Sequence, residues 1–308
     1  MGEAIMRGIH PYLDQWRRSQ IAQLPGGMID YSTTQRNLAV VGIENKDEEG
    51  CRIYKALLES GDIVKLDSAS TFAKRWKGNS YFGHSDAARI GTDVHTLIEN
   101  KLAGTDDEYI YVKLMQDEQV KHCFSLFCDW WSGCYDLEVF GTEMAVWSVT
   151  CGLAGRLDGL FWNSKLSQFE LVDPKTTSFV SEQYRLQQAI YAVCLESVGI
   201  HVRKATLLML PKPNQGDDWH EEVLWDTTER GLFRFANLRM AIWSMIQTQC
   251  SLELEKLDPV KNASSIASIA ERLTLASGSL FSVPPALPSD TQRLLLQKQV
   301  NPLSESRC

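Results

Sequence analysis

Residues 151–191 read CGLAGRLDGLFWNSKLSQFELVDPKTTSFVSEQYRLQQAIY and contain two apolar segments followed by a predicted helix. The segments 153–162 and 167–175 are rich in Leu, Phe, Trp and Val, which favour β-strands. Asn163-Ser164-Lys165 lies between them and supplies the polar residues of a turn. The sequence therefore predicts an antiparallel hairpin.

The turn also predicts the register of this hairpin. If the turn is centred between Lys165 and Leu166, facing residues lie at equal distances from that point. Because side chains alternate along a strand, three facing pairs share one face of the sheet: Trp162 with Phe169, Leu160 with Leu171, and Asp158 with Asp173. The predicted face is apolar near the turn and carries two carboxylates further along.

The two facing carboxylates call for compensating positive charge, because like charges opposite each other destabilise a sheet. Lys175 lies on the same face, two residues beyond Asp173, and a divalent cation would neutralise the remaining charge. With Asp158, these residues suit metal-dependent hydrolysis of a phosphodiester. The acids would hold the metal, the metal would lower the pKa of a bound water, and the lysine would orient that water or stabilise developing charge.

Four short motifs occur in order along this part of the chain. They are Gly91 to Glu99 (GTDVHTLIE), Gly155 to Gly159 (GRLDG), Val172 to Thr176 (VDPKT), and Gln187 with Tyr191. Together they resemble the RecB-type branch of the PD-(D/E)XK nuclease superfamily. That branch includes phage and bacterial RecB-like exonucleases, CRISPR-associated adaptation nucleases and mitochondrial genome maintenance exonucleases. The resemblance covers residues 88–225, and its specificity comes from the order and spacing of the motifs.

The resemblance implies a fold and a set of site residues. The expected fold class is α/β (α+β), a restriction-endonuclease-like mixed β-sheet flanked by helices, with extra helical segments at both ends. The family pattern places an aspartate on one strand, Asp/Glu-x-Lys on the next, Gln-x-x-x-Tyr on the following helix and a His on an earlier helix. The catalytic residues carried over are Asp158, Asp173, Lys175, Gln187 and Tyr191. The metal ligands carried over are His95, Asp158, Asp173 and Pro174, with Glu99 and Glu143 as secondary candidates.

Two of these assignments have competing explanations in the sequence. His95 and Glu99 share one face of the predicted helix 87–102, but a lone histidine on a helix is more often structural than a ligand. Pro174 cannot donate to a sheet ladder and is usually tolerated only at an edge or a bulge. Its carbonyl remains, and in the family that carbonyl often faces the metal.

The resemblance implies a DNA nuclease that uses Mg²⁺ or Mn²⁺, with an exonuclease preference for single-stranded or end-frayed DNA. Three alternatives stay open. They are a structure-specific endonuclease, an inactive nucleic-acid-binding or assembly protein of the same fold, and a hydrolase that acts on another substrate at the same metal site. The presence of Asp158, Asp173 and Lys175 favours an active enzyme.

Four cations are candidates for contacts with the nucleic acid. Lys74, Arg75 and Lys77 lie among aromatic residues. This composition can bind a nucleic-acid strand through phosphate contacts and base stacking. A solvated helix end explains the same pattern equally well. Arg185 follows the catalytic motifs and is a candidate for contact with the substrate backbone, although a solvated arginine is the simpler explanation.

The composition limits the class of protein. The net charge of −8 favours a metal-dependent enzyme over a protein that coats nucleic acid by charge alone.

The eight cysteines are expected to be reduced, and those that follow the core are too far apart for an iron–sulfur cluster. No apolar run approaches the ~20 residues of a membrane span. An intracellular location, cytoplasmic or nuclear, is expected. A mitochondrial one stays open, although the first thirty residues mix arginines with acidic residues and so make a poor transit signal.

The patterns divide the chain of 308 residues into four regions: a mostly helical region 1–86, a nuclease core 87–226, a helical region 227–278 and an extended tail 279–308. DNA is the expected partner, and the tail could bind a protein partner. The predicted helices are 51–60, 87–102, 108–134, 176–197, 228–247 and 257–277. The predicted strands beside the hairpin are 38–43, 138–149, 205–210 and 221–225.

Overall fold

The computed structural model describes residues 53–57, 63–76, 86–104, 108–197, 200–258 and 261–281. These residues form seven strands and seven helices. The strands are β1 (Ile53–Leu57), β2 (Ile63–Ser68), β3 (Leu137–Ser148), β4 (Leu153–Asn163), β5 (Gln168–Lys175), β6 (Val202–Met209) and β7 (His220–Trp225). The helices are α1 (Ala69–Trp76), α2 (Asp86–Ala103), α3 (Glu108–Leu114), α4 (Glu118–Ser132), α5 (Glu182–Glu196), α6 (Glu229–Leu254) and α7 (Ala263–Phe281).

All seven strands belong to one mixed sheet in the order β1-β2-β4-β5-β6-β7, with β3 paired to β4. The β2–β4 and β5–β6 pairs are parallel, and the other pairs are antiparallel. The parallel pair β5–β6 is joined through α5, the connection that parallel neighbours require. The fold is therefore a mixed sheet flanked by helices, as the sequence predicts.

Strand β4 changes its partner along one edge. Its first residues, Leu153 and Ala154, pair with β2, whereas Gly159 and the residues after it pair with β5. Between these two ladders, residues 155–158 have no recorded strand partner on that edge within the described part of the chain. The sheet is thus split next to Asp158, and we call this opening the sheet split.

The predicted register of the β4–β5 hairpin is confirmed where the ladder is formed. Trp162 pairs with Phe169, and Leu160 pairs with Leu171. The ladder ends at the pair Gly159–Val172, one residue before the two aspartates, where the sheet split begins. At the turn, the side-chain oxygen of Asn163 accepts a hydrogen bond from the backbone N–H of Leu166 at 2.9 Å.

Helices cover both faces of the sheet. One core cluster joins the sheet to α1, α5, α6 and α7 and includes Leu160, Leu171 and Ile190. The second cluster joins the other face to α2 and α4 and includes Phe127 and Phe161. Strands covered on both faces are expected to be continuously apolar, and residues 207–210 at the end of β6 are all fully buried.

Several predicted elements differ from the observed ones. The prediction of a helix at 51–60 is wrong, because the residues Ile53–Leu57 pair antiparallel with β2 and bury Tyr54. Residues 108–134 form two helices instead of one, because Asp117 caps α4 by accepting bonds from the backbone N–H groups of Gln119 and Val120. The helix after β5 begins at Glu182, several residues later than predicted, with Ser181 as its cap.

The observed sheet also crosses the predicted domain boundary at residue 86, because β1 and β2 extend the same sheet as the core strands. The two helices predicted after residue 227 are present as α6 and α7. The predicted strand 38–43 and the part of the tail beyond Phe281 lie outside the described residues. No helix in the described ranges has the length and apolar character needed to cross a membrane.

Arg239 ties three helices together on the α5 side of the sheet. From α6 it forms an ion pair with Glu196 of α5 and donates to the backbone oxygen of Leu280 in α7 at 2.8 Å. Its guanidinium also lies over the ring of Phe235, 4.5 Å from the centroid. Both members of the ion pair are largely buried, so each depends on the other for compensation of its charge.

We predict that Arg239→Met lowers the free energy of unfolding by about 3–5 kcal/mol, because it leaves Glu196 buried without its partner. The double variant Arg239→Met, Glu196→Met is expected to recover most of this loss, since no uncompensated charge remains. Urea unfolding of the full chain measures both values. A single variant within about 1 kcal/mol of the wild type would contradict this role.

Candidate metal centre

The sheet split brings together side chains from four elements. Asp158 comes from β4 and Lys175 from β5, with an Nζ–Oδ2 distance of 3.8 Å between them. His95 comes from α2, and its Nδ1 lies 3.6 Å from Oδ1 of Asp158. Glu143 comes from β3, and Glu143 and His95 line the same cleft as Asp158. Asp158 and His95, which were predicted from separate motifs, therefore lie close together.

His95, Glu143 and Asp158 form a group that could hold a cation. Each offers one ligand atom, and these atoms all lie within 4.8 Å of one another. All three side chains are half-buried, so they are open to a cation but partly shielded from water. One imidazole nitrogen and two carboxylates suit Mn²⁺ and also Mg²⁺, which prefers oxygen ligands and keeps several waters.

Glu143 has an unusual backbone. Its φ is 48°, in the left-handed region that a residue with a side chain seldom adopts. In β3, Thr142 pairs with Gly159 and Met144 pairs with Leu157, so Glu143 lies opposite Asp158. Strained residues of this kind cluster at functional sites, where the surrounding structure holds them in place. The family resemblance made Glu143 a secondary candidate only, and its backbone conformation could not be predicted from the sequence.

The charges of the group shift one another. Burial and the charge of Asp158 raise the pKa of Glu143 to about 7, although Arg156 opposes the shift. Burial would lower the pKa of His95, but the charge and hydrogen bond of Asp158 outweigh it, and the pKa is raised. The protonation of these three side chains therefore depends on their mutual electrostatic interactions.

Asp173 is buried behind this group. Its side chain accepts from Lys175 Nζ at 2.5 Å and from Gln188 Nε2 at 2.6 Å. Burial and the charge of Asp158 raise the pKa of Asp173, against the effect of Lys175. The pKa of Asp158 is lowered, because His95, Asp173 and Lys175 together outweigh its burial. The two aspartates therefore behave as a coupled pair in which Asp158 ionises first.

Lys175 is charged in this setting. Burial would lower its pKa, but Asp173 and Asp158 raise it above the ordinary value of a lysine. Its Nζ also lies 5.1 Å from the ring centroid of Tyr184 on α5. A buried ammonium group that contacts both aspartates can stabilise further negative charge at the same place.

Gln187 and Tyr191, the predicted supporting pair, contact each other on α5. Gln187 Nε2 donates to the hydroxyl of Tyr191 at 2.6 Å. The ring of Tyr191 packs against Gly155 at the sheet split, where a Cβ would come within 2.5 Å of Cε1. Burial and the two aspartates raise the pKa of Tyr191, so its hydroxyl stays protonated. Gly155 therefore provides the space that lets this tyrosine lie beside Asp158.

Pro174 and Glu99 line the cleft beside the three grouped ligands. The ladder between β4 and β5 ends at Val172, so on that edge of β5 Pro174 needs no N–H donor for strand pairing. This explains how a central strand accommodates a proline. Burial raises the pKa of Glu99, opposed by Arg156 and His95.

The predicted nucleic-acid contacts are mostly engaged within the protein. Arg185 donates to Glu222 at 2.7 Å and lies 3.4 Å from Glu182. Arg75 pairs with Asp67 at 3.0 Å, and Lys74 is half-buried on α1. Lys77 lies outside the described residues.

Arg156 and Gln188 were not singled out by the sequence as site residues. Arg156 is exposed and lies 3.4 Å from Glu143, beside the grouped ligands. Its place in the GRLDG motif was the signal that could have found it. Gln188 is fully buried against Asp173, and only its position next to Gln187 in the helical motif hinted at a role.

The six cysteines in the described ranges are free. Cys123 is fully buried in the α4 core cluster, and Cys128 and Cys134 pack at its edge. These three cysteines therefore contribute to the packing of the core.

No protein-family model matches the chain, and no curated protein matches it in sequence. The functional argument therefore depends on the residues themselves.

We predict that Glu143→Gln stabilises the metal-free protein at pH 8. In wild type the pKa of Glu143 is about 7 in the folded state and near 4.5 when unfolded. The folded state therefore binds this proton more tightly, and its stability falls as the pH rises through this range. Glutamine cannot ionise, so the free energy of unfolding of the variant should exceed that of the wild type by on the order of 1–2 kcal/mol at pH 8. The difference should be small at pH 5.

Urea unfolding in EDTA at the two pH values tests this expectation. Glu138→Gln, an exposed position on the same strand, is the matched control and should show no such pH-dependent gain. A Glu143→Gln variant that is no more stable than wild type at pH 8 would contradict a pKa of Glu143 raised by burial and by Asp158.

Proposed function

We propose that this chain is a metal-dependent DNA nuclease of the PD-(D/E)XK superfamily, of the RecB type. The observation that carries the proposal is the grouping of His95, Glu143 and Asp158 within 4.8 Å, beside a buried Asp173–Lys175 pair. All of them except Glu143 come from separate motifs that have the family's order along the chain. Their meeting at one place supports a common chemical role.

Mg²⁺ or Mn²⁺ would be held by His95, Glu143 and Asp158, with Asp173 and the carbonyl of Pro174 as further ligands from β5. When bound, the cation lowers the pKa of a coordinated water and polarises the phosphate. The other steps of the reaction would depend on the side chains around the cation. Together the acidic ligands hold a dication that an anionic substrate can approach.

Lys175 would act on the reacting phosphate. Its ammonium group is buried and charged, and it lies within 4 Å of both aspartates. From that place it can orient the attacking water or stabilise the negative charge that develops on the phosphate oxygens. Gln187 and Tyr191 would support this arrangement from α5, because their hydrogen bond holds the helix face that packs at the sheet split.

The preference for single-stranded or end-frayed DNA comes from the family resemblance alone. A structure-specific endonuclease would use the same centre. An inactive binding protein of this fold is less well supported, because such a protein has no need to keep Asp158, Asp173 and Lys175 in mutual contact. The net charge of −8 also gives little support to binding that depends on phosphate neutralisation alone.

We predict that the wild-type chain degrades linear DNA in the presence of Mg²⁺ or Mn²⁺, spares closed circular DNA and is inactive in EDTA. Lys175→Met should lower the rate by at least about 100-fold, because it removes the charge that stabilises the transition state while retaining the side-chain volume. Time courses with end-labelled single-stranded, duplex and circular DNA measure these rates, and the position of the label gives the polarity.

The matched control is Lys165→Met, at an exposed lysine in the hairpin turn, which should leave the rates unchanged. Cleavage of circular DNA by the wild type would favour the endonuclease alternative. Survival of every substrate with every metal, together with DNA binding, would replace the nuclease proposal with the binding-protein alternative.

A further inference from the structure

Gln188 is a polar residue in an apolar position. It lies on α5 among fully buried residues such as Leu186, Ala189 and Ile190, and it is only 1% exposed. A buried amide destabilises a protein unless it is hydrogen-bonded. The amide of Gln188 meets this requirement by donating Nε2 to Oδ2 of Asp173 at 2.6 Å.

Asp173 is held at both of its oxygens. Lys175 donates to Oδ1 at 2.5 Å from the same strand, and Gln188 donates to Oδ2 at 2.6 Å from the helix that covers it. Two donors from different elements fix the rotation of the carboxylate plane. Each oxygen keeps a second lone pair, which a cation could use once the carboxyl group is ionised.

The neighbour of Asp173 across the sheet split is Asp158. The ladder of the hairpin ends one residue before these two aspartates, so strand pairing does not hold them at a set distance. The Lys175 ammonium contacts both carboxylates but can rotate on its flexible stem. The amide of Gln188 is enclosed in the core and has no comparable freedom.

We propose that Gln188 is a positioning residue that fixes the Asp173 carboxylate relative to Asp158 and thereby sets the affinity of the centre for its divalent cation. The inference rests on the proposed function in that Asp173 is taken as a ligand. Hydrogen-bond partners of metal ligands commonly control affinity in this way, and their loss costs about 10–100-fold in metal binding or activity. Gln187, the next residue, bonds Tyr191 instead and does not contact Asp173 in the same way.

A purely structural role makes a different prediction. If Gln188 only fills space in the core, a residue of equal length without a donor should leave metal binding unchanged in the folded protein. If it positions Asp173, the same change should weaken metal binding even where the protein stays folded. The effect should also disappear when Asp173 is absent, because Gln188 acts through that residue.

The test is calorimetric titration of the full chain with Mn²⁺ in the absence of DNA. Gln188→Met keeps the side-chain length and removes the donor, and we expect it to weaken Mn²⁺ binding by about tenfold or more. In an Asp173→Ala background, the same substitution should cause no further loss. Gln183→Met, the same change in the first turn of α5, is the control and should bind Mn²⁺ as the wild type does.

Gln188→Asn serves as a second variant in case the methionine variant does not fold. It keeps the amide but shortens the side chain away from Asp173, so it should also weaken Mn²⁺ binding. Unchanged affinity in either folded variant, or an equal loss in the Asp173→Ala background, overturns the inference. Absence of Mn²⁺ binding by the wild type overturns it as well.

A nuclease assay on the same samples separates the two proposals. If the wild type binds Mn²⁺ but cleaves no DNA, the proposed function fails, and the calorimetry still decides the role of Gln188. If the wild type cleaves DNA and the Gln188 variants bind Mn²⁺ normally, the function stands and the inference fails.

Discussion

Two aspartates lie side by side where β4 exchanges β2 for β5 as its partner, and the rest of the site follows from that constraint. Between the two ladders β4 has no recorded strand partner on that edge in the described residues, so Asp158 is not enclosed by a neighbouring strand. Like charges in such a place require compensation. Positive charge comes from Lys175 on the strand and from His95 on α2, and Gln188 on α5 adds a hydrogen bond to Asp173. The helices on both faces of the sheet thus each supply one residue to the centre.

The arrangement of the centre destabilises the folded protein. Glu143 adopts a strained backbone, burial and the charge of Asp158 raise its pKa, and Asp173 is removed from water. Functional sites often store strain that the surrounding fold must offset. Here the offset comes from the packed layers, in which residues at the end of β6 are buried on both faces and Arg239 joins three helices.

The sequence predicted the parts of the fold that depend on local patterns. The hairpin register followed from the turn at Asn163, because a turn fixes which residues face each other. Strand β1 was missed because its pairing with β2 is a tertiary contact that overrides local propensity. For the site, the motifs identified His95, Asp158, Asp173 and Lys175. Gln188 was not identified in this way, because its position next to Gln187 does not show that its side chain faces the core and contacts Asp173.

If the sheet split forms one cation site from α2, β3 and β4, a crystal of the full chain grown with Mn²⁺ will reveal it, because manganese can be located by its anomalous scattering. We expect a peak within about 2.5 Å of a ring nitrogen of His95 and of carboxylate oxygens of Glu143 and Asp158. A peak bound elsewhere, or a fully occupied crystal form with these three side chains turned away from one another, would contradict it.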